Sequence, residues 1–308
     1  MVEEELHRGG TLGALVLRAC RRFRDASAVV GPDLRLTYTQ VSHRISGMMQ
    51  AFDEAGLVRG DGVALLSSNS ADVVVATCAV MAAGLRLTAL SPLGSEDDHL
   101  FCVEDAEISA IIVDPRFGAR ANDLQIRASK LRVVFALGGA PDAIDLSAKA
   151  SAGRQMAEDR AQSNDIAMIA YTGGTTGRPK GVVHTHASAL AALHMAASEW
   201  EWPINGKVLA VTPVSHAAGI LAYPTFLRGG AGGSSGAGGG VVMVVARYIA
   251  VSSGTAYISA PGTPGSGGGG GGVVLIISSE TSLNASVSTD VTGGTGCAAG
   301  TVYYMQVA

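Results

Sequence analysis

At 308 residues, with 47% apolar and 16% charged positions, the chain is long enough for two ordinary domains or one large α/β domain and is excluded from the disordered class. A net charge of −4 and a pI near 6.0 leave no broad basic field for nucleic acid or anionic lipid. The acidic start MVEEELHRGG lacks an apolar signal core, the most apolar run (Val73–Gly84) is too short to span a bilayer, and Cys20, Cys78, Cys102 and Cys297 show neither metal nor disulfide spacing. The expectation is a cytoplasmic protein without a membrane span.

In chain order, Leu36-Thr37-Tyr38-Thr39 predicts a strand. It is followed by a helix over Gln40–Ala55 with Val41, Ile45, Met48 and Phe52 on one face. Gly56–Asp61 reads as a turn and Val63–Leu66 as a strand, and Asn69-Ser70 can cap a helix over Ala71–Ala83. Thr88–Leu90 and Ile108–Val113 predict buried strands on either side of an acidic helix, Glu96–Glu107. Val133–Leu137 and Ile166–Tyr171 continue the alternation. Repeated βαβ units imply an α/β fold, a mostly parallel sheet covered by helices on both faces. Ligands bind such sheets at the carboxyl ends of the strands.

That is where Thr172–Lys180 falls. Gly173, Gly174 and Gly177 permit positive φ and let backbone N–H groups converge on an anion. Thr172, Thr175 and Thr176 add hydroxyl donors, and Arg178 and Lys180 add positive charge. Pro179 before Lys180 sets this loop apart from the G-x-x-x-x-G-K-[ST] phosphate loop, which opens a helix. Gly181-Val182-Val183 reads instead as a second strand, so the loop is expected to arch between two strands over phosphates. A solvated glycine-rich turn is the plainer alternative for such a composition.

The order Tyr171-Thr172-Gly173-Gly174-Thr175-Thr176-Gly177-Arg178-Pro179-Lys180-Gly181 resembles the signature of the adenylate-forming (AMP-binding) superfamily, which includes acyl-CoA synthetases, aryl-CoA ligases, luciferases and peptide-synthetase adenylation domains. Only Gly173 departs, where Ser is commoner. Gly60–Leu65 with Asn69-Ser70, and Gly84–Pro92 before Glu96-Asp97-Asp98, are similar to further blocks of that family. The likeness runs from about Thr11 to Pro224. It implies ATP- and Mg²⁺-dependent activation of a carboxylic acid, a fatty acid by the closest pattern, to an acyl-adenylate, then transfer to the thiol of coenzyme A.

By the same resemblance Thr172, Gly173, Gly174, Thr175, Thr176, Gly177 and Lys180 hold the β- and γ-phosphates, with Lys180 stabilising the departing pyrophosphate. Pro213–Gly219 resembles the family's Pro-x-x-His-x-x-Gly element, which makes His216 a second catalytic candidate, lining the carboxylate pocket. Two other readings stand beside this one: a non-catalytic nucleotide-binding fragment, and an acyl-adenylate synthetase that delivers to a carrier protein. His184 and His186 would alternate on one strand and share a face. No Cys or carboxylate stands near them at metal-ligand spacing, so no metal site is assigned. The helix Ala187–Trp200 is expected to bury Leu190, Leu193 and Met195.

Composition changes near Gly229: beyond it the only charged residues are Arg247, Glu280 and Asp290. We read 1–228 as the N-terminal adenylate-forming α/β region. Residues 229–308 read as a continuation of the same domain with doubtful residue identities, and the family's C-terminal lid domain is not expected in this chain. Val241–Val245 and Val273–Ile277 have the β-branching of buried strands. Tyr303-Tyr304-Met305 falls where the family's aromatic-Gly-x-Thr-Glu turn belongs, which would put Gln306 and Val307 in place of its Thr and Glu.

Overall fold

A computed structural model of the chain describes residues 10–30, 34–172, 179–199, 207–209, 222–227, 229, 240–246, 256–259, 273–278, 287–290 and 301–306. Thr11 opens the first helix, α1 (Leu12–Arg22), its side chain accepting a hydrogen bond from the Ala14 N–H. A short antiparallel ribbon follows, β1 (Ser27–Val30) against β2 (Arg35–Thr37).

The strand expected over Leu36–Thr39 stops at Thr37. There the Thr37 hydroxyl oxygen accepts from the Gln40 N–H, and the Gln40 side chain accepts from the Thr37 N–H. This reciprocal pair is a capping box, and it draws Tyr38 and Thr39 into helix α2 (Tyr38–Glu54). Val41, Ile45, Met48 and Phe52 are all buried on its inner face, as their spacing predicts.

The main sheet has seven strands in the order β7-β6-β5-β3-β4-β8-β9. They are β3 (Gly62–Leu66), β4 (Arg86–Ala89), β5 (Ile108–Val113), β6 (Val133–Ala136), β7 (Ile144–Asp145), β8 (Ile166–Thr172) and β9 (Lys180–Thr185). Every neighbouring pair is parallel except β8 with β9. Alternation along the strands feeds two cores. Val63, Leu65, Ile112 and Phe135 pack with α1, α2 and α3 (Ala71–Ala82) on one face. Ala64, Leu66, Ile111 and Val113 pack with α4 (Glu96–Asp105) and α5 (Gly118–Arg127) on the other. The doubly covered sheet is the α/β architecture expected from the βαβ alternation.

Ser70 caps α3 and accepts from the Val73 N–H. Helix α6 (Leu146–Ala152) lies across α2, where Gly47 and Gly153 bring the two backbones together. Helix α7 (His186–Glu199) buries Ala189, Leu190 and Leu193, but Met195 lies off that stripe and is 69% exposed.

The chain also forms a short α8 (Ala222–Leu227) and a second, four-stranded parallel sheet. Its members are β10 (Lys207–Leu209), β11 (Gly240–Ala246), β13 (Val273–Ser278) and β15 (Thr301–Gln306), in that order; β12 (Ala256–Ser259) and β14 (Val287–Asp290) pair separately. The two apolar runs of the tail are strands, as expected. The turn expected at Tyr303-Tyr304-Met305 is not one. That stretch lies inside β15 and runs in register with β13, Gln306 opposite Ser278. Thr301-Val302-Tyr303-Tyr304 carries β-branched and aromatic residues and no glycine, which suits a ladder rather than a bend.

Candidate active site

The carboxyl ends of the parallel strands define one edge of the main sheet, and β8 ends directly before the glycine–threonine loop. Ile166–Thr172 runs out to that edge, and Lys180–Thr185 returns antiparallel beside it. The two strands that flank the glycine–threonine loop are therefore paired antiparallel, as the sequence predicts.

At its mouth Thr172 stands directly opposite Lys180. Facing residues of an antiparallel pair project to the same side, so a hydroxyl and an ammonium sit together there. The Thr172 hydroxyl donates to the Lys180 carbonyl at 3.4 Å, at the long limit of a hydrogen bond and easily given up for a stronger acceptor. Both residues are exposed. Among the described residues Lys130 and Lys149 are bound to Glu107 and Glu54, whereas the Lys180 ammonium meets no carboxylate. Gly173, Gly174, Thr175, Thr176, Gly177 and Arg178 lie outside the described residues, as does His216.

One rung back, the other face of the hairpin is occupied by Tyr171 opposite Gly181. A Cβ on Gly181 would come within 2.8 Å of Ile169 and 3.3 Å of the Tyr171 ring, so the glycine makes room for that ring. The Tyr171 hydroxyl donates to the Asp105 carboxylate at 2.5 Å, and its ring stands edge-on to Phe101 with centroids 6.3 Å apart. Burial first, and the Asp105 carboxylate second, push the phenol above its ordinary range, so it remains a donor. Sequence reasoning noticed Tyr171 only as the first letter of a motif. Nothing in the local sequence points to Asp105, which lies in α4 a long way upstream.

The loop after β4 lies on the same edge of the sheet. His99, buried in α4, accepts from Arg120 on Nδ1 and donates from Nε2 to the Ser91 carbonyl, at 3.0 and 2.8 Å. Burial lowers its pKa and suits this neutral arrangement.

His184 and His186 do not share a strand face. The strand ends at Thr185, and His186 is the first residue of α7, fully buried, with its N–H donating to the Asp165 carbonyl. Its Nδ1 accepts the Leu12 N–H at 3.2 Å, tying α7 to the start of α1. Among the described residues no cluster of His, Cys, Asp or Glu could hold a metal ion.

The AMP-binding enzyme family profile matches residues 16–237. The chain is similar to the medium/long-chain-fatty-acid–CoA ligase FadD8 of Mycobacterium tuberculosis, at 38% identity over 227 residues. That match takes in 71% of the chain but only 40% of the relative's length. Among solved structures it resembles the amide bond synthetase McbA of Marinactinospora thermotolerans, at 28% identity and a TM-score of 0.62, over 72% of this chain and 43% of that one. The N-terminal domain of FACL13 from M. tuberculosis shares the fold at 21% identity and a TM-score of 0.64, over 72% of this chain and 56% of that one. With a profile match over more than half its length, the chain belongs to the AMP-binding enzyme family.

Proposed function

We propose that the chain carries the acid-activating part of an ATP-dependent acyl-CoA synthetase that takes a fatty acid. One observation carries the reading: a hydroxyl and an ammonium that has no carboxylate partner among the described residues face each other across the mouth of a hairpin at the carboxyl edge of a parallel sheet. An extended polyanion fits that mouth, and its oxygens are stronger acceptors than the carbonyl Thr172 now meets at 3.4 Å.

In the proposed reaction a carboxylate oxygen of the acid attacks the α-phosphorus of ATP. The bond to the β-phosphate oxygen breaks, and pyrophosphate leaves with the charge that Lys180 neutralises. Thr172, Thr175 and Thr176 donate hydroxyl hydrogens, and Gly173, Gly174 and Gly177 expose main-chain amides to the same phosphates. His216 lines the pocket of the acid. Bound Mg²⁺ supplies charge neutralisation along the phosphates, and we assign it no residue of this chain. In the second half-reaction the sulfur of coenzyme A replaces AMP on the acyl carbon. The relative at 38% identity, named as a fatty-acid–CoA ligase, supports both the acid and the acceptor. Residues 1–228 are read as the adenylate-forming region and 229–308 as its continuation. A cytoplasmic location suits the buried thiols of Cys20, Cys78 and Cys102.

The test is exchange of labelled pyrophosphate into ATP. Exchange should require a fatty acid, and Lys180→Ala should slow it on the order of 10²- to 10³-fold without moving the melting temperature. ATP binding without acid-dependent exchange would leave a non-catalytic nucleotide-binding protein. Exchange followed by no thioester with free coenzyme A would move the acceptor to a carrier protein.

A further inference from the structure

Strand β8 is held unevenly. Its ladder with β4 is the single rung Leu87 opposite Met168, and the chain after β4 turns to β3 instead, Leu90 N–H donating to the Leu65 carbonyl. By that register Tyr171 and Thr172 extend past Ala89, the last residue of β4, and are laddered only to β9, itself an edge strand. On the far side Ile169 and Tyr171 pack against the second core, and α4 supplies two contacts to Tyr171. Asp105 accepts the Tyr171 hydroxyl, and Phe101, one helical turn earlier, meets the Tyr171 ring.

Asp105 is the last residue of α4, where a carboxylate faces the negative end of the helix dipole. Its neighbour Glu104 has a structural partner in the Ser129 N–H. Among the described residues Asp105 has one hydrogen-bond partner, and it is Tyr171. The acid is thus placed against its own helix and toward the hairpin.

We propose that Tyr171 and Asp105 form a positioning tether that fixes the mouth of the hairpin, and through it the Thr172–Lys180 pair, for the phosphates of ATP. The inference rests on the phosphate-binding reading above. Tyr171 and Asp105 touch no substrate. They hold the backbone from which Thr172 and Lys180 reach it, and without them the outer rungs swing on the β9 ladder alone.

The test uses three variants of the protein. Tyr171→Phe keeps the ring against Phe101 and Gly181 and removes only the donor. Asp105→Ala removes the acceptor at an exposed position, and Asp105→Asn retains an oxygen that can accept the same O–H. Calorimetric Kd for ATP should rise roughly five- to tenfold in Y171F and in D105A, with D105N close to the parent, and the double variant Y171F/D105A should be no worse than either single one. Affinity for the fatty acid and the melting temperature should not move, which a merely structural contact would not achieve. Amide exchange in 169–172 and 180–183 should quicken in the nucleotide-free Y171F and D105A proteins. Unchanged ATP affinity in both single variants overturns the tether, as does a D105N protein as weak as D105A. If the parent protein binds ATP but exchanges no pyrophosphate, the acid-activation reading fails while a shifted Kd still supports the tether. A parent protein that binds no ATP sinks both.

Discussion

His186 has the most to say about pH. Burial pulls its pKa down from 6.5 to about 4, against a smaller opposing effect of Asp165. Its Nδ1 must stay unprotonated to accept the Leu12 N–H. Between about 4 and 6.5 the unfolded chain takes up this proton and the folded chain does not, so stability rises with pH across that window and is lost as pH falls through it. The loss reaches about 3 kcal/mol once both states are protonated. Urea melts at pH 7 and pH 4.5 should show this fall. His186→Gln, which can still accept the Leu12 N–H, should flatten the stretch between them. This role was not legible in the sequence, because a residue far away in the chain supplies the partner. His184-Thr185-His186 has the spacing of a strand, yet the Asp165 carbonyl captures the His186 N–H and the helix begins there. The Thr172–Lys180 pair was legible, since both belong to one short motif.

At the level of elements, α2 and α6 cross with almost no space between them. A Cβ on Gly47 would lie 2.4 Å from the Lys149 carbonyl oxygen, and one on Gly153 would lie 2.0 Å from the His43 carbonyl oxygen. Backbone cannot yield as a side-chain tip can, so Gly47→Ala and Gly153→Ala should each cost on the order of 3 kcal/mol in urea unfolding, despite the better helix propensity of Ala at position 47. A change in unfolding free energy below a tenth of that size would remove this account of the crossing. Beside it Asp72 joins three helices, accepting from Arg44 at 2.6 Å and from Ser147 at 2.5 Å. With Arg44 largely buried, Asp72→Ala should destabilise by about 2 kcal/mol or more. Helix faces were readable wherever apolar residues recur at 3.6, as in Val41, Ile45, Met48 and Phe52. Boundaries were less so: Thr37 and Gln40 decide between strand and helix through side-chain bonds that periodicity does not register. Met195 misled because it follows the buried Leu193 by two residues, which on a helix is nearly the opposite face.

Across the whole molecule, the three described cysteines report on integrity. Burial raises Cys20 to about 12 and Cys102 to about 11, and it raises Cys78 further. A thiol reagent at pH 8 should leave these three unmodified in the native protein and modify them as denaturant unfolds it. Rapid native reaction at any of them would contradict the two-sided core. That core was the most readable feature of the chain, because buried parallel strands must be apolar on both faces, as Val63–Leu66 and Ile108–Val113 are. The second sheet was readable only as runs of Val and Ile. With so few charged residues between those runs, nothing in the sequence marks where β15 is to continue straight, and a turn was expected in its place. The reversal of β9 against β8 has a further effect. A parallel crossover spends a helix and a dozen or more residues before it comes back, but this return is made at once. Every group proposed for the triphosphate is therefore carried by one uninterrupted segment, Ile166 to Thr185. Its reach can be lengthened or shortened by changing a few adjoining codons, with no strand elsewhere obliged to re-thread.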